Sequence, residues 1–352
     1  MIRALFDEAK TLDLDWEIMR AFSIQKAASL IMAGVLALGA CACSAAGTSA
    51  NKGTNGKLKV VTTIFPEYDW VKQIAGSNID NIELTMLLDN GVDMHSFQPT
   101  AQDIIKISTC DVFVFVGGES DEWVKDAFVE SNKDMQIVNL LELLGENAVT
   151  EEIVEGMQAE EDDGAEEEYG QSAPEYDEHV WLSLRNAQII VSGIADAMGK
   201  ADPANAASYK ANAEAYNMKL EELDGKYTEA VANGSKDAVL FADRFPFRYM
   251  TDDYKLKYYA AFAGCSAETE ASFETVVFLS GKIDELGLDT VLVIEGADHS
   301  MAQTIIDNTG SKNQEILVMD SMQATTSSDS AKGTTYVSVM ESNLEVLKKA
   351  LG

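Results

Sequence analysis

The feature that most constrains this chain is a long unbroken helical pattern beyond its midpoint. Residues 202–233, DPANAASYKANAEAYNMKLEELDGKYTEAVAN, open on an Asp202–Pro203 start signal and stop just before Gly234. At 1.5 Å per residue, such a helix is roughly 45 Å long. That is longer than one small lobe is wide, so it is expected to join two. Short β-branched and aromatic runs alternate with helical segments on both sides of it. Before it come KLKVVTTIF (57–65), EYDWVKQIAG, NIELTMLL (81–88), TAQDIIKIST and DVFVFVGG (111–118). After it come AVLFAD, LKYYAAFAG, a helical stretch over 272–287, TVLVIEG, SMAQTIIDNTG, EILVMDS and YVSVMESNLEVLKKALG. This alternation predicts an α/β fold of two lobes, each a mainly parallel sheet flanked by helices. The lobes are expected over 57–201 and 234–352, with 202–233 as the linking helix. Thr100 and Asp103 predict a capping box on the helix they open. No sequence repeat relates the two halves.

The first 56 residues read as a processing and anchoring region. Residues 27–40, AASLIMAGVLALGA, are apolar, follow Arg20 and Lys26, and end in small residues. This run is short for a membrane span and has the order of a secretory signal. Leu38-Gly39-Ala40-Cys41 resembles the bacterial lipobox, so Cys41 is the expected lipidation site. The tract that follows, up to residue 56, reads as a flexible tether. Residues 1–18 are acidic where a signal is basic. They are taken to precede the true start at Met19, which makes 19–40 the signal peptide. Cys43 also lies at the signal end. Cys110 and Cys265 lie far apart in the folded part and lack the CxxC spacing of a zinc or redox site. Both read as small buried hydrophobes.

The formal net charge is −33, which makes nucleic acid an unfavourable partner and cations a favourable one. The charge is concentrated in 151–178, where apolar residues almost vanish. That stretch reads as a solvated, disordered loop. It runs directly into His179. The chain has only three histidines, and two share a pattern, Asp93-Met94-His95 and Asp177-Glu178-His179. Each sits on a loop beside an α/β element, where open sheets bind ligands. A neutral imidazole with a neighbouring carboxylate to orient it is a common metal ligand.

TTIFPEYDW, GVDMHSFQPTAQDI, EHVWLSLRNA, ETEAS, MDSM and YVSVMESNLEVLKKAL together resemble the zinc- and manganese-binding lipoproteins of bacterial ABC uptake systems, the cluster A-I solute-binding proteins. The resemblance runs from about Lys57 to the C-terminus. It implies two α/β lobes bridged by one long rigid helix, with a four-ligand metal site in the cleft between them. The transported ligand would be Zn²⁺ or Mn²⁺, and the partners an ABC permease with its ATPase. The mature protein would be a lipid-anchored extracytoplasmic monomer on the surface of a bacterium. Carried over residue by residue, the ligands are His95, His179 and Asp320. The remaining family ligand, a His or Glu, falls on Ala242, which cannot coordinate.

Asp243, Glu295 and His299 are the candidates to fill that place, with water as a further option. Asp243 has Arg244 as an obvious ion-pair partner. Glu268 and Glu270 match a family neighbourhood read as structural or supporting, and Trp123 and Trp181 read as core. Two imidazoles with few oxygens favour zinc over manganese. A metal-dependent hydrolase and a surface adhesin with a structural metal are the competing functions, although the sequence has no HExxH or dense ligand motif. The acidic loop is expected to gather cations near the cleft, and metal loading to order the ligand loops with only small lobe motions.

Overall fold

A computed structural model describes residues 56–128, 131–158, 175–266 and 270–352. The proposed start at Met19, the signal peptide, Cys41, nearly all of the tether, the centre of the acidic loop and Glu268 lie outside the described residues.

The first lobe holds four parallel strands, β1 (Leu58–Thr62), β2 (Ile82–Met86), β3 (Val112–Phe115) and β4 (Gln136–Asn139), in the order β2-β1-β3-β4. β4 has no counterpart in the sequence reading, because its four residues are half polar and run straight into the helix Leu140–Leu144. The second lobe repeats the scheme with β5 (Ala238–Phe245), β6 (Lys257–Ala263), β7 (Thr290–Ile294) and β8 (Glu315–Met319), in the order β6-β5-β7-β8. β3 and β7 are buried along their whole length. That follows from helices covering both faces of a parallel sheet. In each lobe the second strand lies on one side of the first and the third on the other. The order therefore reverses beside β1 and β5, and crevices form at the strand C-termini at such points.

Helix ends follow local chemistry. The expected capping box forms: Thr100 Oγ1 accepts from Asp103 N at 3.3 Å, and Asp103 Oδ2 accepts from Thr100 N at 3.0 Å. The linking helix differs from expectation at its start. It runs Ala206–Asn233, while the helix before it, Leu184–Ala201, closes on Asp202. Asp202 serves the corner between the two, its Oδ2 accepting from Asn205 Nδ2 at 2.7 Å and Tyr209 OH at 2.8 Å. The 28 residues that remain still span about 42 Å.

The linking helix buries Tyr209, Tyr216, Leu220, Leu223 and Tyr227. One hydrophobic core runs through both lobes, from Val60 and Phe113 to Phe241 and Leu347. A smaller cluster around Phe262, Leu279 and Val291 belongs to the second lobe. Polar contacts tie the lobes further. Trp181 Nε1 donates to Ser321 O (2.8 Å), Tyr336 OH to Trp181 O (2.6 Å), and Tyr336 N to Asp69 Oδ2 (3.0 Å).

The described ends of the acidic stretch are anchored. Thr150 bridges Tyr176, and Gln158 N donates to Ala261 O at 2.9 Å, covering the β6 edge of the second sheet. Gln158 Oε1 also accepts from Ser272 N at 2.7 Å. Glu152, Ile153 and Glu155 stay exposed, while Gln158 is held by the backbone partner that an open strand edge offers.

Candidate metal centre

The loop after β2 carries His95 on a single 3-10 turn, Met94–Ser96. Buried Met94 anchors the turn, and Asp93 caps it by accepting from His95 N at 3.0 Å. The His95 ring is held from behind: Nδ1 lies 2.7 Å from Ser120 Oγ and 3.4 Å from Glu178 Oε2. Gly118 makes room for that carboxylate, since a Cβ there would strike Glu178, and its φ of +87° suits glycine. Fully buried His179 opens the turn Val180–Leu182. Asp177 Oδ1 accepts from both its backbone N (2.8 Å) and its Nδ1 (2.9 Å).

A carboxylate only accepts, so His179 keeps its proton on Nδ1 and presents the Nε2 lone pair. The surroundings of His95 favour the same tautomer. The two Nε2 atoms stand 3.3 Å apart. Burial, and then the neighbouring His179 ring, push the His95 pKa down to about 4, which keeps the ring neutral at neutral pH. Two facing lone pairs repel one another but can share a cation, so the pair fits a metal.

The third member of the cluster comes from the second lobe. His95, His179 and Cys265 bring their ligand atoms within 4.8 Å of one another, and no other group of three is found among the described residues. Cys265 follows β6 by two residues. Gly264 brings the chain close, because a Cβ on it would lie 3.0 Å from the His179 ring and 2.9 Å from Phe245 O. The Cys265 amide donates to Glu151 Oε1 at 3.1 Å. Burial, then the carboxylates of Glu151, Asp177 and Glu178, push the thiol pKa up. Cys110, in contrast, is fully buried against Met135, as expected of a small hydrophobe.

The other predicted site residues lie at strand ends of the second lobe and stay outside that cluster. Asp320 follows β8, and its Oδ1 accepts from Met322 N at 2.7 Å. Glu295, after β7, accepts from Ser321 N (2.7 Å), Ser321 Oγ (2.7 Å) and Gln323 N (3.1 Å), so both its oxygens shape the turn that carries Asp320. Burial, then the Asp320 charge, raise the Glu295 pKa, and burial raises that of Asp320. Asp243 accepts from Arg244 N (2.8 Å) and Ile294 N (3.2 Å), joining β5 to β7. His299 caps the helix Ser300–Asp307 with φ +62°.

Asp243, Glu295 and His299, but not Asp320, border a cleft of about 740 Å³ between Gly91, Asp93 and Ser96 of the first lobe and Ala242, Gly296 and Ser321 of the second. Asp93 spans it. Arg244 Nη2 donates to Asp93 Oδ2 at 2.7 Å, and the Gln323 side-chain nitrogen, with the amide oriented to satisfy both its atoms, donates to Asp93 Oδ1 at 2.9 Å. Burial opposes ionisation of Asp93, but Arg244 and His95, with the hydrogen bonds that they donate, overcome it and hold its pKa low. The expected partner of Arg244 was Asp243; its side chain reaches across the cleft instead. Sequence reasoning did not place Cys265 beside the histidines, nor Ser120 and Glu178 behind the His95 ring. The available signal for Cys265 was its position just past a parallel strand, where ligands collect.

The family model described as "Zinc-uptake complex component A periplasmic" matches residues 60–350. The zinc-binding lipoprotein AdcA of Streptococcus pneumoniae is 30% identical over 324 residues, 92% of this chain and 61% of AdcA. This chain thus spans about three fifths of that relative. The high-affinity zinc uptake system protein ZnuA of Bacillus subtilis is 29% identical, over 90% of this chain and 97% of ZnuA. Among solved structures, the Zn(II)-bound ZnuA-like domain of S. pneumoniae AdcA superposes with a TM-score of 0.64 at 27% identity, covering 84% of this chain and 99% of that domain. With a family model covering most of its length and a fold of the same two-lobed kind, this chain belongs to the ZnuA family of periplasmic zinc-uptake components.

Proposed function

We propose that this protein is the extracytoplasmic binding component of an ABC metal-uptake system, capturing zinc in the interlobe cleft and delivering it to a membrane permease. The observation that carries this reading is the His95–His179 pair, with Nε2 atoms 3.3 Å apart and Nδ1 atoms held from behind. Asp320, outside the cluster and with Oδ1 accepting from Met322 N, would have to turn toward the ion to supply a carboxylate from the second lobe. Asp243 and Glu295 support the cleft through backbone hydrogen bonds rather than serve as ligands. His299 stands at the rim.

Zinc is favoured over manganese because the site is rich in nitrogen and poor in oxygen. The names of the relatives describe binding and uptake, which supports a carrier over a hydrolase. Lipidation at Cys41 would hold the monomer at the membrane, and the acidic stretch before His179 would raise the local cation concentration. The shared core and the Asp93 contacts favour small tilts over wide opening.

The test is titration of the purified protein with zinc and manganese in competition. One tight zinc site is expected, weakened at least about 100-fold in His95→Ala and His179→Ala, and less in Asp320→Ala. Binding that survives all three substitutions would place the cation elsewhere and refute the cleft reading.

A further inference from the structure

Resting on that zinc-site reading, we propose that Cys265 is a ligand of the transported metal, its Sγ joining His95 Nε2 and His179 Nε2. The cargo is then a thiophilic divalent ion of the zinc class.

Three observations converge. The first is proximity: the three ligand atoms lie within 4.8 Å of one another. Around a tetrahedral zinc with ordinary bond lengths, two nitrogens stand about 3.4 Å apart and a nitrogen and a sulfur about 3.6 Å apart. The imidazole pair is already at 3.3 Å, so only the thiol has distance to close. The second is the backbone. Gly264 brings the turn after β6 against the His179 ring, and Glu151 Oε1 holds the next amide, at Cys265. The third is topology. β6 pairs with β5, Ala263 standing opposite Phe245, so residues just past β6 lie beside the end of the strand that carries Ala242. A donor missing from β5 is thus supplied from the neighbouring strand. Coordination releases the thiol proton to solvent and leaves a thiolate on the metal. Thiolate donors select zinc and disfavour manganese, whose preference is for oxygen.

Cobalt(II) reports on this directly, because a thiolate bound to it gives a near-ultraviolet charge-transfer absorption that nitrogen and oxygen donors lack. The purified protein and its Cys265→Ser, Cys110→Ser and His179→Ala variants would be titrated with cobalt, then with zinc against manganese. The expected result is a charge-transfer band at one equivalent of cobalt in the parent and in Cys110→Ser. Cys265→Ser should lose the band, with zinc affinity down at least about 100-fold. Its manganese affinity should change little, whereas a merely structural defect would weaken both metals together. Zinc should also protect Cys265 from alkylation in the parent, a readout that needs no variant to fold. A band-free cobalt complex that is unchanged in Cys265→Ser but lost in His179→Ala would overturn the thiolate ligand and leave the histidine site standing. Failure of the parent to bind either metal would overturn the zinc-site reading itself.

Discussion

The two lobes share one strand order and divide the chemistry between them. In the first, the loop after β2 and the turn at Val180–Leu182 deliver two imidazoles, and half-buried Ser120 with buried Glu178 and Asp177 holds their rings. In the second, the strand ends deliver carboxylates and a thiol, and most of those carboxylates hold backbone: Asp243 joins β5 to β7, and Glu295 builds the turn after β8. A parallel sheet with its reversal point fixes where side chains converge, and the identity of those side chains decides whether a lobe grips a ligand or shapes the wall opposite it.

If ring-holding belongs to the first lobe, Asp177→Asn should lower zinc affinity by about 10–100-fold, as the loss of a partner behind a metal-bound histidine does. Asp243→Asn should change affinity less than about threefold. Equal losses in calorimetric titrations would erase the distinction between the lobes.

The first lobe also holds its own buried acids. Glu67 Oε2 accepts from Thr63 N at 2.8 Å, while its Oε1 is buried without a partner. Burial, with Asp121 nearby, raises its pKa from 4.5 to about 8, and burial raises that of Asp121 to about 7. The folded state therefore retains protons that the unfolded chain loses. The stability this contributes is full below about pH 4 and is lost as pH rises through about 8. Glu67→Gln should flatten that fall and stabilise the protein by on the order of 1–3 kcal/mol at pH 8, with little effect at pH 4. Denaturant melts at the two pH values check it, and an equal effect at both would refute the assignment.

A modest effect is expected where the lobes meet. Arg244→Ala removes the ion pair across the cleft and should cost up to about fivefold in zinc affinity, as a partly exposed pair does. Faster hydrogen exchange should follow in the loop around His95. Unchanged exchange there would mean that Asp93 does not couple the lobes.

Much of the fold was legible from local patterning. Seven of the eight strands lie where β-rich runs were read. Strand β4 escaped because four half-polar residues beside a helix carry no period. The Asp-x-His pattern marked both imidazoles, because in each case the aspartate hydrogen-bonds the backbone N of the histidine two residues on.

By itself, the sequence determined the α/β alternation, the long link between lobes and the shortage of histidine that made His95 and His179 conspicuous. Only the tertiary structure decided that these histidines, 84 residues apart, face each other, that Asp243 and Glu295 are engaged by backbone amides, and that Cys265 stands beside the pair. Periodicity and capping depend on neighbours along the chain. A metal centre depends on which strand ends a parallel sheet sets side by side, and strand pairing between distant segments leaves no local trace.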